Sequence, residues 1–133
     1  MSDTTRPSAR HDLAPPTYDS VWETVDGLHA WLESHNRRSA DEALLLRVLK
    51  LSEEVGEVAQ AVIGAKGQNP RKGESHSWQD VESELCDVVV TALVALRSLT
   101  PQAPEVLAAH LRRVTWRRGS RSTRAEAPRV RRG

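Results

Sequence analysis

Apolar residues recur along the middle of this chain with the period of an α-helix. Val21, Val25, Leu28 and Leu32 stand at i, i+4, i+7 and i+11, one stripe of a 3.6-residue turn. The spacing predicts a first helix from near Asp19 to Ser34, with His35-Asn36-Arg37-Arg38 as the turn after it. A second helix is expected from Ser39 through ALLLRVLKLSEEVGEVAQAVI to about Ile63. Ser39 and Glu42 have the spacing of a capping box, in which hydroxyl and carboxylate each serve a free backbone N–H. Gly56 interrupts this helix at a cost of about 1 kcal/mol relative to alanine, and it invites close approach by another helix or a ligand. Gly64 is the expected stop. Residues 64–76, GAKGQNPRKGESH, read as a loop. Ser77 and Asp80 repeat the capping spacing and open a third helix to Leu99, ended by Thr100-Pro101 because the residue before proline leaves the helical region. A fourth helix is expected from about Pro104 to Arg118, carrying Val106, Leu107, Leu111 and Val114.

Four helices with short connections imply an all-α, four-helix bundle. From Val88 to Leu96 the third helix is apolar nearly all round, so it is expected to be buried on most sides. It has too little polar surface for an exposed position, and association into an oligomer is expected to complete the bundle. Residues 1–17 and 119–133 read as disordered, leaving 18–118 as one domain.

Composition narrows this further. Phe is absent and aromatics are 4% of the chain, so the core must be aliphatic. The single cysteine, Cys86, excludes an intramolecular disulfide framework and fits a reducing compartment. No apolar run approaches the roughly 20 residues of a membrane span, and MSDTTRPSARHDLAPP lacks the apolar centre of a signal peptide. A cytoplasmic protein without a membrane partner is the expectation. The net charge of +1 hides a split: Asp19 to Leu111 carries 8 Lys/Arg against 15 Asp/Glu, and Arg112 to Gly133 carries 9 Arg against Glu126 alone. Clustered acids in the body suggest a cation site rather than a nucleic-acid surface. The basic tail keeps open a different class of protein, a non-enzymatic helical oligomer whose tail binds nucleic acid or an acidic partner.

Two acidic strings interrupt the apolar pattern: LSEEVGEVAQ at 51–60 and ELCD at 84–87. With Glu53 set as origin and about 100° per residue, Glu57 lies near 40°, Lys50 near 60° and Glu54 near 100°. Three acids and one lysine share about a third of that circumference. On the third helix Glu84 and Asp87 are about 60° apart, and Asp80 and Thr91 extend their stripe. If the stripes face each other, four or five carboxylates converge. Like charges about 4 Å apart repel by about 4 kcal/mol at an effective dielectric of about 20, so such a cluster binds cations, protonates or splays into water. Oxygen-only ligands favour Mg²⁺ or Mn²⁺ over zinc. A di-iron bundle requires Glu-x-x-His pairs, and no histidine follows a glutamate at that spacing.

EEVGE followed by ELCD resembles the EExxE…ExxD signature of the all-α nucleoside triphosphate pyrophosphohydrolases, in particular the MazG-like group. The resemblance covers roughly Leu44 to Leu99. It implies Mg²⁺-dependent hydrolysis of a nucleoside triphosphate to the monophosphate and pyrophosphate, with deoxy and modified nucleotides among the candidate substrates. It also implies a homodimer or homotetramer. By position in the motif, Glu54, Glu57, Glu84 and Asp87 are the implied metal ligands. Glu53 is the spare carboxylate that orients or deprotonates the attacking water. Lys50, Lys66, Arg71 and Lys72 are candidates to hold the β- and γ-phosphates. Trp31 and Trp78 are candidates to stack on the nucleobase, with ordinary packing as the competing reading. Relatives often place a polar or aromatic side chain one turn beyond the last acid; here that position is Thr91. Cys86 is expected to face the core.

Overall fold

The computed structural model describes residues 17–125, with side chains through Ser120. Four helices follow in order: α1 (Tyr18–His35), α2 (Ala40–Ala65), α3 (Trp78–Leu99) and α4 (Ala103–Ala125). The described residues contain no strand. Among them, no helix is long and apolar enough to cross a membrane.

The helix starts follow from local chemistry. Thr17, expected in the disordered segment, is the N-cap of α1 and accepts from the Ser20 N–H at 3.2 Å; residues 1–16 lie outside the described residues. Ser39 caps α2 by accepting from Glu42 N–H, but the reciprocal half of the box is missing. The Glu42 carboxylate turns instead to Arg38, 2.6 Å away. At α3 the box is complete. Asp80 accepts from the Ser77 backbone N–H at 2.7 Å and from its hydroxyl at 2.9 Å, and these bonds hold its carboxyl below the ordinary range. Asp80 is therefore spent on the cap and does not join the other acids. Its stabilising contribution is present above an ordinary aspartate pKa and lost as pH falls through the depressed one. Ser77→Ala is expected to lower unfolding free energy by about 1 kcal/mol, measurable by denaturant titration.

Two helix ends differ from expectation. Helix α2 runs through Gly64 to Ala65. The absence of a side chain at Gly64 serves packing: a Cβ there would stand 2.1 Å from His76 Nδ1 and 2.7 Å from Ser75 Oγ. The backward turn falls at Gly67, whose φ of 61° suits glycine. Helix α4 continues to Ala125, past the expected end at Arg118. Arginine is a good helix former, and a lone glycine and two serines do not stop the helix. The rest of the expected tail lies outside the described residues.

Helix α3 is the axis on which the other three pack. Trp22 and Val25 of α1, Val94 of α3 and Ala103 of α4 form the core, ringed by Val21, Leu32, Leu93, Leu96 and Leu107. The Asp26–Arg97 ion pair, 2.7 Å, ties α1 to α3 at its rim. The Tyr18 hydroxyl donates to the Pro104 carbonyl. This core covers only the C-terminal half of α3. Leu85, Val89 and Val90 remain exposed, so within one chain α3 is not buried on most sides as expected. Cys86 is exposed as well, because its position is about 100° from Asp87 and turns away from α2.

Helix α2 has two apolar faces. Ala43, Glu54, Ala61 and Gly64 are buried on one. Leu45, Val48, Leu49, Val55 and Ile63 lie exposed on the other. Gly56 belongs to the outward face, and no neighbouring group among the described residues lies within 4 Å of where its Cβ would be.

Candidate metal centre and adjoining cavity

Side-by-side packing of α2 and α3 brings the two acidic strings together. Glu54, Glu84 and Asp87 each offer a carboxylate oxygen, and these atoms lie within 4.8 Å of one another. Glu54 is buried at 7% exposure, the position where a bare charge is most costly. Lys50 Nζ reaches Glu54 Oε1 at 2.9 Å and Glu53 Oε2 at 3.2 Å. The bond to Glu54, then that to Glu53, raises the Lys50 pKa well above the usual lysine value.

Glu57 stands at the edge of the trio. Partial burial, followed by repulsion from Glu54, Glu84 and Glu53, holds its carboxyl above the ordinary range. One lysine thus leaves the cluster under-neutralised. With a raised native pKa, the folded state holds the Glu57 proton more tightly than the unfolded state. Stability therefore falls as pH rises from the ordinary glutamate value through the native one. Wild type is expected to lose thermal stability relative to Glu57→Gln over that window, and saturating Mg²⁺ to remove the difference. Parallel melting curves across the window check this.

The donor chemistry fits a hard divalent ion: three carboxylates converge, a fourth adjoins them, and no nitrogen or sulfur takes part. The four acids expected from the motif are neighbours, and three form the tight set. Glu53 points outward to Lys50.

A cavity of about 410 Å³ opens beside the acids, between α1, α2 and α3. Leu28, Leu32, Leu46, Val90 and Val94 give it an apolar lining, and Asn36, Arg38, Arg47, Lys50 and Thr91 supply polar groups. Lys50 belongs to both cavity and acid cluster. Its volume suits a small-molecule ligand. Arg47 is held by Glu33 at 2.6 Å and by the Ser98 hydroxyl at 3.0 Å. His29 lies beside this pair, and burial, then the Arg47 charge, lower its pKa.

Several expected residues stand elsewhere. Trp31 is exposed and tilts against His35, ring centres 4.6 Å apart. Trp78 is exposed at the first turn of α3. Neither lines the cavity. Lys66, Arg71 and Lys72 are exposed in the loop region after α2. Lys66 stands about 18 Å along the helix axis from Glu54 at about 1.5 Å per residue, beyond the reach of its side chain. Asn36, Arg38 and Arg47 join the site without belonging to the motif. The available signal is that Arg47 precedes Lys50 by one turn and Glu54 by two.

Comparisons with protein-family models, with curated proteins and with solved structures found no match to this chain.

Proposed function

We propose that this chain is a Mg²⁺- or Mn²⁺-dependent nucleoside triphosphate pyrophosphohydrolase on a MazG-like scaffold. The observation that carries this reading is the juxtaposition of the Glu54–Glu84–Asp87 set with the apolar cavity, joined at Lys50. In this reading Glu54, Glu84 and Asp87 hold the ion, with Glu57 as the fourth carboxylate. The bound ion would supply charge neutralisation on the triphosphate and acidify a water. The nucleoside occupies the cavity, with Asn36 and Thr91 offering hydrogen bonds to it. Lys50 and Arg38 face the phosphates. Glu53, which shares Lys50 with Glu54, turns inward from its outward position to orient the attacking water and accept its proton. Lys66, Arg71 and Lys72 contribute only if the loop moves toward a bound substrate. The test is a panel of ribo- and deoxynucleoside triphosphates incubated with protein and Mg²⁺, with monophosphate and pyrophosphate measured separately. Glu53→Gln is expected to lower turnover and spare Mg²⁺-induced stabilisation; loss of both would move Glu53 into the ion's ligand set.

The outward face of α2 supports association of copies, since Leu45, Leu49 and Ile63 lie exposed along it. In an isolated helix interior, Gly56→Ala would stabilise by about 0.5–1 kcal/mol. If a second copy packs against Gly56, a larger residue there separates the copies instead. Sedimentation of Gly56→Leu is expected to show a smaller species than wild type. An unchanged mass with raised stability would sink this interface.

A further inference from the structure

The far half of α4 is a basic helix that no other described element covers. Its near half is anchored: Ala103 is fully buried and Leu107 packs on the core. From His110 to Ser120 every residue is exposed. Arg112, Arg113, Arg117 and Arg118 make no ion pair among the described residues, and Arg113 has only a 3.3 Å contact with His110 Nδ1. Glu105, in the first turn, is the only acid of α4.

Arginine's propensity lets the helix run on, but the placement of these charges along it is not what helix electrostatics favours. Cations help the last turn of a helix, but Arg112 and Arg113 stand in its middle. Arg113 and Arg117 are one turn apart, where like charges destabilise. The four arginines from Arg112 to Arg118 fall within about 9 Å of axis. That is about one charge per 3 Å, close to the phosphate spacing along one strand of a duplex.

Two other occupants fit less well. A membrane surface needs one continuous apolar face, yet Val114 and Trp116 stand about 160° apart and arginines separate them from the other side. In the acidic body of a second copy, the described acids without an ion pair either belong to the candidate metal centre (Glu57, Glu84, Asp87) or are scattered over α1, α2, the following loop, α3 and α4 (Asp19, Glu23, Asp41, Glu74, Glu82, Glu105), so they form no continuous row opposite the arginines. Asp26, Glu33, Glu42 and Glu53 are each bound to a cation, and Asp80 serves the α3 cap.

We propose that α4 from Arg112 onward binds the phosphate backbone of a nucleic acid. This stands apart from the catalytic reading, and nucleotide turnover by Arg113→Gln/Arg117→Gln is expected to match wild type.

The test is fluorescence anisotropy of the full chain with a labelled 20-base-pair DNA duplex, the RNA duplex of the same sequence, and a 20-nucleotide single strand. The salt series runs from about 50 to 200 mM. With about four phosphates neutralised on duplex DNA, log K falls with log salt at a slope near −3.6, about a 150-fold loss over that range. Arg113→Gln/Arg117→Gln is expected to reduce the slope by about 1.8, whereas Arg37→Gln leaves it unchanged. Melting curves of the double variant should lie at or slightly above wild type, because both side chains are exposed and a like-charge pair is removed. A preference for either duplex, or for the single strand, assigns the ligand's class within the proposal. Absence of binding to all three probes at low salt overturns it. So does an unchanged slope in the double variant. A lowered sedimentation mass in that variant, without nucleic-acid binding, would instead make α4 a contact between copies.

Discussion

Glu54→Gln is expected to lower Mg²⁺-dependent nucleotide hydrolysis by more than about 100-fold. Glu54 is the buried member of the acid set and the residue through which Lys50 reaches it. The substitution preserves shape and removes one negative charge at the point where the ion needs it. Metal neutralisation of a phosphoryl transition state is worth several kcal/mol, and each 1.36 kcal/mol is about tenfold in rate. Lys50 keeps Glu53 as a partner, so the fold is expected to survive. Two readouts then move together: turnover is lost, and the rise in melting temperature on adding Mg²⁺ disappears. Normal turnover in Glu54→Gln would contradict the assignment of this cluster. Loss of turnover with the Mg²⁺ effect intact would place the ion elsewhere.

Trp22→Ala is expected to carry the largest stability cost in the chain. Trp22 is the largest of the buried hydrophobic side chains, at 4% exposure, at the junction of α1, α3 and α4. Truncating a buried tryptophan costs about 3–5 kcal/mol. The indole N–H pulls the figure toward the lower end. It is buried with no acceptor, and removing an unsatisfied donor recovers part of the loss. A cost of about 3 kcal/mol follows, a large share of the marginal stability of a small domain. Urea titration measures it. A cost below about 1 kcal/mol would mean that this junction is not the core.

Several helix boundaries were legible because they carry their own start or stop chemistry. Ser39, Ser77 and Thr100-Pro101 marked their boundaries within a residue or two. The two acidic stripes were legible on their own helices, but their meeting was only a condition, met for Glu54, Glu84 and Asp87 by the packing of α2 on α3. No lysine or arginine stands between Lys72 and Arg97, so the carboxylates leading into VVVTALVAL lack a cation on their own helix turn. Other parts depended on how helices sit against one another. Arg47 enters the cavity because Glu33 of α1 comes within 2.6 Å of it, and a helical wheel of α2 alone does not contain that neighbour. Trp31 flanks the apolar stripe of α1, and only the packing of α1 decides that it points outward to His35. The fate of Glu42 was set by competition between Ser39's backbone and Arg38's charge, which spacing does not weigh. The length of α4 turned on arginine's helix propensity outweighing glycine and serine.

In the proposed reaction, water attacks the α-phosphorus of a nucleoside triphosphate at this acid cluster. Hydrolysis in water enriched in the heavy oxygen isotope, followed by mass spectrometry of the products, tests it most directly. Monophosphate and pyrophosphate are expected in equal amounts, with the label on the monophosphate. Label in pyrophosphate or release of orthophosphate would contradict it, as would a lack of turnover of any nucleotide together with no stabilisation by Mg²⁺.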